Sequence, residues 1–254
     1  MRAMILAAGL GTRLKPFTNS HPKALALVNG KTLLQRNIEY LQQFGINEVV
    51  VNVHHFSNQI IEAVEANAGW GSTVFISDES SEVLETGGGV LFAKSFFDKE
   101  AAWLVMNADI LTNLELDKLI ATDKILSSGD EKYIATLAVT NRTSSRNLLF
   151  NNTEKLVGWR NNTTGEEKWS DANNTKINVE KDFSETYEAK AFSGIQIIHS
   201  FFYEALTLTG KFSLIDAYLQ IATKHSIGFY DHSDGLLLDV GKPENIAKAE
   251  KLFK

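Results

Sequence analysis

The first half of the chain alternates short apolar runs with longer segments in which apolar residues recur every three or four positions. Short apolar runs are typical of strands buried on both faces, and the longer period is typical of amphipathic helices. Because the connections between them are short, the alternation favours a mostly parallel sheet covered by helices. Strands are predicted at residues 2–8, 48–53, 73–77, 103–107 and 133–139, and helices at residues 32–44, 57–68, 89–96 and 116–126.

The pattern changes after residue 140. Two strands, 147–150 and 155–160, are predicted to form a hairpin. The following stretch, 161–187, is rich in Asn, Thr, Glu, Lys and Asp, which is typical of an exposed insertion. Alternation then resumes, with strands predicted at 190–198 and 236–240 and helices at 214–225 and 243–253.

The chain shows neither an internal repeat nor a flexible linker. We therefore expect one α/β domain, residues 1–254, whose halves 1–140 and 141–254 share a single sheet. The expected fold is Rossmann-like, with a mixed but mostly parallel sheet and helices on both faces. The second half is expected to add a smaller β subregion and the polar insertion at 161–187.

Composition excludes several classes of protein. The 254 residues contain no cysteine, which rules out a disulfide framework, a thiolate metal site and a cysteine nucleophile. The 25 basic and 31 acidic residues leave a net charge of −6, which disfavours a nucleic-acid partner. No apolar run approaches the roughly 20 residues that cross a bilayer, and the N-terminal sequence resembles a strand more than a signal peptide. We expect a cytoplasmic protein, a monomer or small homo-oligomer, with no membrane partner.

A glycine-rich loop follows the first predicted strand. Residues 6–18 read Leu-Ala-Ala-Gly-Leu-Gly-Thr-Arg-Leu-Lys-Pro-Phe-Thr. This sequence lacks the third glycine of a dinucleotide-binding loop and the Gly-Lys-Ser/Thr of a Walker loop. Exposed backbone N–H groups at Gly9 and Gly11, with Arg13 and Lys23 nearby, would suit a polyphosphate. The alternative is a structural turn with solvated basic residues.

Two aspartates stand at the ends of predicted strands. Asp109 follows the apolar run 103–106, and Asp239 ends the run 236–238. Because ligands collect at the carboxyl ends of strands in open α/β sheets, these carboxylates could converge. Two carboxylates with phosphate oxygens and water suit an octahedral Mg²⁺ ion. The alternative for either residue is an aspartate that caps the next helix.

Together these motifs resemble the signature of the sugar-phosphate nucleotidyltransferases, also called nucleotide-sugar pyrophosphorylases. The resemblance is specific because the glycine loop is flanked by Pro16 and Pro22, and it extends over nearly the whole chain. Residues 84–89, Leu-Glu-Thr-Gly-Gly-Gly, are most similar to the branch that transfers uridylate to N-acetylmuramate 1-phosphate in cell-wall recycling. The matching segments are 6–18, 22–31, 84–89, 107–109, 192–195 and 239–243.

The resemblance implies an enzyme that transfers a nucleoside monophosphate from a nucleoside triphosphate, expected to be UTP, to a sugar 1-phosphate. It implies a Mg²⁺ ion between Asp109 and Asp239, and in the implied reaction Arg13 and Lys23 would act on the phosphates as the catalytic cations. The half 1–140 would bind the nucleotide and the half 141–254 the sugar. The expected nucleotide contacts are Ala8, Gly9, Gly11, Thr12, Arg13, Lys23, Glu79, Glu85 and Gly88, and the expected sugar contacts are Asn147, Ser193 and Gly194.

The chain departs from the family pattern at two places. Ala108 stands where many relatives have glycine, immediately before the first aspartate. The Glu-Lys-Pro segment, whose lysine binds the sugar phosphate in many relatives, is missing. Lys190 and Lys168 are candidate replacements, and for each the alternative is a solvated surface lysine. The sequence does not settle which residue takes this role.

Two other functions stay open at the level of the sequence. A mannose- or heptose-1-phosphate guanylyltransferase would use GTP, and the base-edge hydrogen bonds that separate it from a uridylyltransferase cannot be placed from one sequence. A non-catalytic nucleotide- or sugar-binding module would keep the fold. Arg13, Lys23, Asp109 and Asp239 argue against this module, because binding alone would not require all four.

Overall fold

The computed structural model describes residues 1–129, 132–170 and 187–254, which form fourteen strands and seven α-helices. The strands are β1 (Ala3–Leu6), β2 (Leu27–Val28), β3 (Lys31–Thr32), β4 (Glu48–Val53), β5 (Thr73–Asp78), β6 (Ala102–Asn107), β7 (Ile110–Thr112), β8 (Tyr133–Thr140), β9 (Arg146–Phe150), β10 (Leu156–Asn161), β11 (Glu167–Trp169), β12 (Glu188–His199), β13 (Ser226–Asp231) and β14 (Leu237–Asp239). The α-helices are α1 (Leu33–Gln42), α2 (Ser57–Ala66), α3 (Glu85–Phe92), α4 (Leu116–Ser127), α5 (Phe202–Ala205), α6 (Leu214–Ile221) and α7 (Pro243–Leu252).

Ten strands form one mixed sheet in the order β11-β10-β9-β12-β6-β1-β4-β5, with β8 beside β12 and β13 beside β8. Strand β1 has parallel neighbours on both sides, β4 and β6, and β5 continues the parallel part beyond β4. Strand β12 runs antiparallel to β6, β8 and β9. The prediction of a Rossmann-like, mixed and mostly parallel sheet is confirmed, and antiparallel β9, β10 and β11 form the smaller β subregion.

Side chains alternate between two hydrophobic cores on the two faces of the sheet. In β1, Ile5 enters the core under α1, α2 and α4, whereas Met4 enters the core under α3, α5 and α6. In β6, Leu104 enters the same core as Ile5, and Trp103 enters the same core as Met4. Strands buried on both faces therefore appear in the sequence as continuous apolar runs.

Helix α1 begins where the sequence predicts. The Thr32 hydroxyl accepts a hydrogen bond from Gln35 N at 3.0 Å and so caps the helix. Leu34, Ile38 and Leu41 face the core, and Gly45 takes a left-handed φ of 73° just beyond the helix end.

Two predicted helices have different bounds in the structure. Helix α3 begins at Glu85, four residues before the predicted start, and ends at Phe92. Helix α6 ends at Ile221 instead of residue 225, and a turn then leads into β13. Strand β13 was not predicted, because Gly228 interrupts its apolar pattern. A side chain at that position would lie 2.7 Å from the Tyr133 hydroxyl, so the strand requires glycine there.

The predicted polar insertion at 161–187 is only partly described by the structure. Its residues Glu167–Trp169 form β11, which pairs with β10, while residues 171–186 lie outside the described part of the chain. Two further sheets, β2–β3 and β7–β14, have two strands each. Across the described ranges, none of the helices combines the length and apolarity that crossing a membrane demands.

Candidate active site

A cavity of about 600 Å³ opens at the carboxyl ends of β1, β4 and β6. The sequence-predicted site residues that line it are Ala8, Gly9, Gly11, Thr12, Arg13, Lys23, Glu79, Glu85 and Asp109. It is also lined by residues to which sequence reasoning gave no role, among them Asn52, His54, Asn107, Lys211, Ser213 and Gly241. Topology therefore brings most of the predicted nucleotide contacts to one place.

The glycine loop is held at both ends. At its start, Asn52 Oδ1 accepts hydrogen bonds from Ala7 N at 2.7 Å and from Ala8 N at 3.4 Å. Further on, Gly11 takes a left-handed φ of 61°, and a side chain there would lie 2.8 Å from Thr18 Cγ2 and 3.0 Å from Lys23 Cβ. Glycine at this position lets the loop fold back on itself, which places Lys23 beside it in the cavity.

Two cation–acid pairs lie at one side of the cavity. The Lys23 ammonium donates directly to Asp109 Oδ2, and Arg13 Nη2 lies 3.4 Å from Asp239 Oδ2. The Lys23 and Asp109 side chains are only 15% and 18% exposed, whereas Arg13 is 57% exposed. The positive charge of Lys23 is therefore largely buried and held in place, whereas that of Arg13 is exposed and held more loosely.

The two aspartates approach each other because β14 pairs with β7 directly after Asp109. Val240 N donates to Asp109 O at 2.8 Å, which joins the two segments. Both backbones are also held by asparagine amides. Asn37 Nδ2 donates to Ala108 O at 2.9 Å, and Asn245 Nδ2 donates to Asp239 O at 2.7 Å.

Gly241 lies at the centre of this group. A Cβ atom there would lie 2.5 Å from Asp239 Oδ1, 2.7 Å from Arg13 Nη2 and 3.1 Å from Lys23 Nζ. Three charged side chains therefore converge on the space that a side chain at 241 would occupy. Gly241 lines the cavity, whereas Asp239 is not among the lining residues and reaches this group through its side chain beside Gly241.

The acids at this position suit a divalent cation such as Mg²⁺. Asp239 Oδ1 is buried and has no hydrogen-bond partner, so it is an acceptor that a cation could satisfy. Among the residues described by the structure, no three metal-ligating side chains cluster together. A cation held here by Asp109 and Asp239 would thus need further oxygen ligands, which phosphate groups and water can provide.

Glu79 lies buried at the opposite side of β1, beyond β4. Its Oε1 accepts from Asn52 Nδ2 at 2.9 Å, and its backbone oxygen is 2.7 Å from His54 Nδ1. Burial raises the pKa of the Glu79 carboxyl above its usual value. Gly89 makes room for this group, because a side chain there would lie 2.8 Å from Glu79 Oε1.

A second glycine cluster, Gly87–Gly89 in α3, has a structural role that the sequence does not reveal. Helix α3 lacks a side-chain cap, and Phe212 O instead accepts from Gly87 N at 2.9 Å and from Gly88 N at 3.1 Å. A Cβ at Gly87 would meet the Phe212 ring at 2.5 Å, and one at Gly88 would collide with Gly210 O. Gly88 was predicted as a nucleotide contact, but its open side is filled by the segment 210–213 and it does not line the cavity.

The predicted sugar contacts lie outside the cavity lining. Ser193 Oγ is 2.7 Å from His232 Nε2, whose pKa is lowered by burial. Gly194 has a φ of 74°, and a side chain there would lie 2.7 Å from Asn107 Nδ2. Asn147 accepts a hydrogen bond from Asn162. Gly194 thus lies beside Asn107, a residue that lines the cavity.

The two candidate replacements for the missing sugar-phosphate lysine are both paired with acids. Lys190 donates to Asp231 Oδ2 at 2.7 Å and contacts Glu188, and its side chain is only 6% exposed. Burial opposes its charge, but these carboxylates outweigh that effect and raise the pKa of Lys190. Lys168 Nζ lies 2.7 Å from Asp216 Oδ1. Neither lysine lines the cavity.

Some of the missed residues carried a usable signal and others did not. Asn52 and Asn107 are polar residues at the ends of apolar strands, the same signal that singled out Asp109. Lys211 and Ser213 reach the cavity only because the segment 210–213 packs on α3. No local pattern predicts that contact.

The comparisons with known proteins bear on the family and the fold. The family model for nucleotidyl transferases matches residues 2–147, more than half of the chain. The crystal structure of HddC from Yersinia pseudotuberculosis complexed with GMP-PN has a TM-score of 0.73 and 22% identity, and the match covers 100% of this chain and 99% of that one. At this identity the likeness shows the fold.

Two curated relatives give local matches. An N-acetylmuramate alpha-1-phosphate uridylyltransferase of Caulobacter vibrioides is 43% identical over 110 residues, 42% of this chain and 45% of the relative. A D-glycero-alpha-D-manno-heptose 1-phosphate guanylyltransferase of Campylobacter jejuni is 36% identical over 119 residues, 47% of this chain and 52% of the relative. The matches thus span about half the length of these relatives. The family model covers more than half of the chain, including the glycine loop, Asp109 and all but three of the residues that line the cavity. The chain therefore belongs to the nucleotidyl transferase family.

Proposed function

We propose that this protein transfers a nucleoside monophosphate from a nucleoside triphosphate, UTP, to a sugar 1-phosphate and releases pyrophosphate. The observation that carries the proposal is the convergence of Arg13, Lys23 and Asp239 around Gly241, with Asp109 bound to Lys23. A chain with a net charge of −6 needs such local positive charge to bind two anionic substrates.

In the proposed reaction, an oxygen of the sugar phosphate attacks the α-phosphorus of the triphosphate. A new P–O bond forms there, and the bond to the bridging oxygen breaks with pyrophosphate as the leaving group. The attacking oxygen is already ionised, so no general base is required. The barrier is dominated by repulsion, since two unit charges ~4 Å apart cost about 4 kcal/mol at an effective dielectric near 20.

Residue roles follow from position and charge. Lys23, deep in the cavity, offsets charge at the α-phosphate, and the more exposed Arg13 holds the departing β- and γ-phosphates with its forked guanidinium. Backbone N–H groups at Gly9, Gly11 and Thr12 add donors to the phosphates. Glu79, which lines the cavity, is proposed to contact the base.

Asp109 and Asp239 are proposed to hold Mg²⁺. The unpartnered Asp239 Oδ1 supports this assignment. When bound, the ion would supply Lewis-acid stabilisation of negative charge on phosphate oxygens. The Lys23 contact with Asp109 orients that carboxylate in the lining of the cavity in the free protein.

The choice of substrates rests on the curated relatives. The match to an N-acetylmuramate alpha-1-phosphate uridylyltransferase supports UTP and N-acetylmuramate 1-phosphate, a step in cell-wall recycling. The match to a heptose 1-phosphate guanylyltransferase supports GTP with a heptose or mannose 1-phosphate as the second candidate. With substrates of this kind, we also propose that the enzyme works in the cytoplasm, where nucleoside triphosphates are available, as a monomer or small homo-oligomer.

The test is a matrix of reactions. The protein is incubated with UTP, GTP, CTP or dTTP, Mg²⁺ and a panel of sugar 1-phosphates, and pyrophosphate release is measured together with the nucleotide-sugar product. We expect release with UTP and N-acetylmuramate 1-phosphate. Release only with GTP would select the guanylyltransferase. Binding of a triphosphate without release from any pair would favour the non-catalytic module and overturn the proposal.

A further inference from the structure

Lys211 is a third cation in the lining of the cavity, apart from Arg13 and Lys23. Its ammonium lies 3.7 Å from Glu85 Oε1, and the two side chains are 54% and 47% exposed. This contact is longer and more solvated than the pair of Lys23 with Asp109. An ion pair of this kind contributes little, so a ligand can displace the acid from the ammonium.

The backbone that carries Lys211 is held tightly, unlike its side chain. Phe212 N donates to Leu84 O at 3.2 Å, and Phe212 O caps α3. Leu214 N donates to Thr86 Oγ1 at 2.9 Å. The close fit depends on Gly87 and Gly88, where any side chain would collide with the segment. A fixed backbone with an exposed cationic side chain is a suitable arrangement for binding an anion, because little backbone entropy is lost.

The segment 210–213 also connects the two parts of the molecule. On one side it packs against α3, and on the other it leads into α6, whose Asp216 pairs with Lys168 of β11. Ser213 caps α6 through Asp216 N at 3.1 Å and lines the cavity. Lys211 therefore lies between the glycine cluster of α3 and the antiparallel strands of the second half.

We propose that Lys211 binds a substrate phosphate, that of the sugar 1-phosphate, and that Glu85 is its partner in the free protein. The proposal rests on the proposed function, in which two anionic substrates share the cavity. Arg13 and Lys23 lie with the two aspartates, whereas Lys190 and Lys168 are held by acids outside the cavity. Of the two lysines that line the cavity, Lys211 has the longer and more exposed contact with its acidic partner.

The experiment compares wild type with Lys211→Met, Lys211→Arg and Lys224→Met. Lys224 is an exposed lysine outside the cavity and serves as the matched control. The KM for N-acetylmuramate 1-phosphate and the Kd of UTP, measured by calorimetry, are determined for each variant. For Lys211→Met we expect the KM of the sugar phosphate to rise about 10-fold, with the Kd of UTP and kcat nearly unchanged. Lys211→Arg should recover most of the loss.

The two possible sources of the phosphate give different results. A weaker Kd for UTP with an unchanged KM for the sugar phosphate would assign Lys211 to the triphosphate instead. If both constants match those of wild type and of Lys224→Met, Lys211 binds no phosphate and the proposal is wrong. If wild type catalyses no transfer, the proposed function fails separately, and calorimetric binding of UTP and of the sugar phosphate still measures the role of Lys211.

Discussion

The guanidinium of Arg13 lies 3.4 Å from the carboxylate of Asp239, although 226 residues separate them along the chain. Arg13 belongs to the loop after β1, and Asp239 ends β14, which reaches the cavity by pairing with β7. The fold thus joins the proposed phosphate-binding loop and the proposed metal-binding acid from opposite ends of the sequence. We propose that this junction forms the active site.

Replacing Arg13 by lysine should lower kcat about 100-fold while leaving the fold intact. Lysine keeps the charge but loses the planar fork that is proposed to contact two phosphate oxygens at once. Pyrophosphate release measures the effect. Arg36→Lys is the matched control, because Arg36 lies outside the cavity and donates only to Val28 O among its described bonds. Equal rates for Arg13→Lys and wild type would contradict the role of the fork.

Gly88→Ala should destabilise the protein by roughly 1–3 kcal/mol, since the new methyl group collides with Gly210 O. Because the segment 210–213 must shift, the KM for the sugar phosphate should also rise. Urea unfolding and steady-state kinetics measure the two effects. For stability, Gly9→Ala is the control, because no atom lies within 4 Å of a Cβ at that position. A Gly88→Ala variant as stable as Gly9→Ala would contradict the docking of this segment on α3.

Glu79→Gln should make the protein more stable at pH 7 and change it little in acid. Burial raises the pKa of Glu79 above 4.5, so ionisation is less favourable in the folded protein than in the unfolded chain. Wild type therefore loses stability as the pH rises through the folded pKa, and the neutral glutamine does not. Glutamine can still accept from Asn52 Nδ2. The free energy of unfolding at pH 4 and pH 7 tests this expectation, with the exposed Glu82→Gln as control. An advantage for Glu79→Gln that is equal at both pH values would refute it.

Lys190→Met should lower stability by about 1–2 kcal/mol and leave the KM for the sugar phosphate unchanged. The loss follows because Asp231 and Glu188 would lack their partner, and it is moderate because both acids are partly exposed. This result would separate Lys190, as a structural residue, from Lys211. A sugar-phosphate KM that rises in Lys190→Met, with the fold retained by circular dichroism, would restore Lys190 as a substrate contact.

Sequence patterns predicted the parts of the fold that are fixed locally. Strand β4 and the start of α1 at Thr32 were predicted correctly because apolar runs and a capping residue determine them. Strand β13 was missed, since its pairing with β8 depends on a glycine that accommodates Tyr133. The early start of α3 was missed because its cap, Phe212 O, comes from a segment far along the chain.

The candidate site likewise combines residues that the sequence indicates with residues whose position only the structure shows. Arg13, Lys23, Asp109 and Asp239 stand in motifs or at strand ends, so the sequence could indicate them. Gly241 stands in the matching segment 239–243, but only the structure shows the three charged side chains around it. Lys211 reaches the cavity because a distant segment, 210–213, packs against two glycines of α3. That contact leaves no periodic pattern in the sequence.

The most direct test of the central claim is the binding of Mn²⁺, as a substitute for Mg²⁺, in the presence of UTP. Electron paramagnetic resonance would follow bound Mn²⁺ in wild type, Asp109→Asn, Asp239→Asn and the exposed control Asp117→Asn. If both aspartates hold the ion beside the phosphates, each of the first two variants should weaken its binding at least about 10-fold, and Asp117→Asn should match wild type. Binding of Mn²⁺ to Asp239→Asn as tight as to wild type would contradict a metal site formed by these two distant acids.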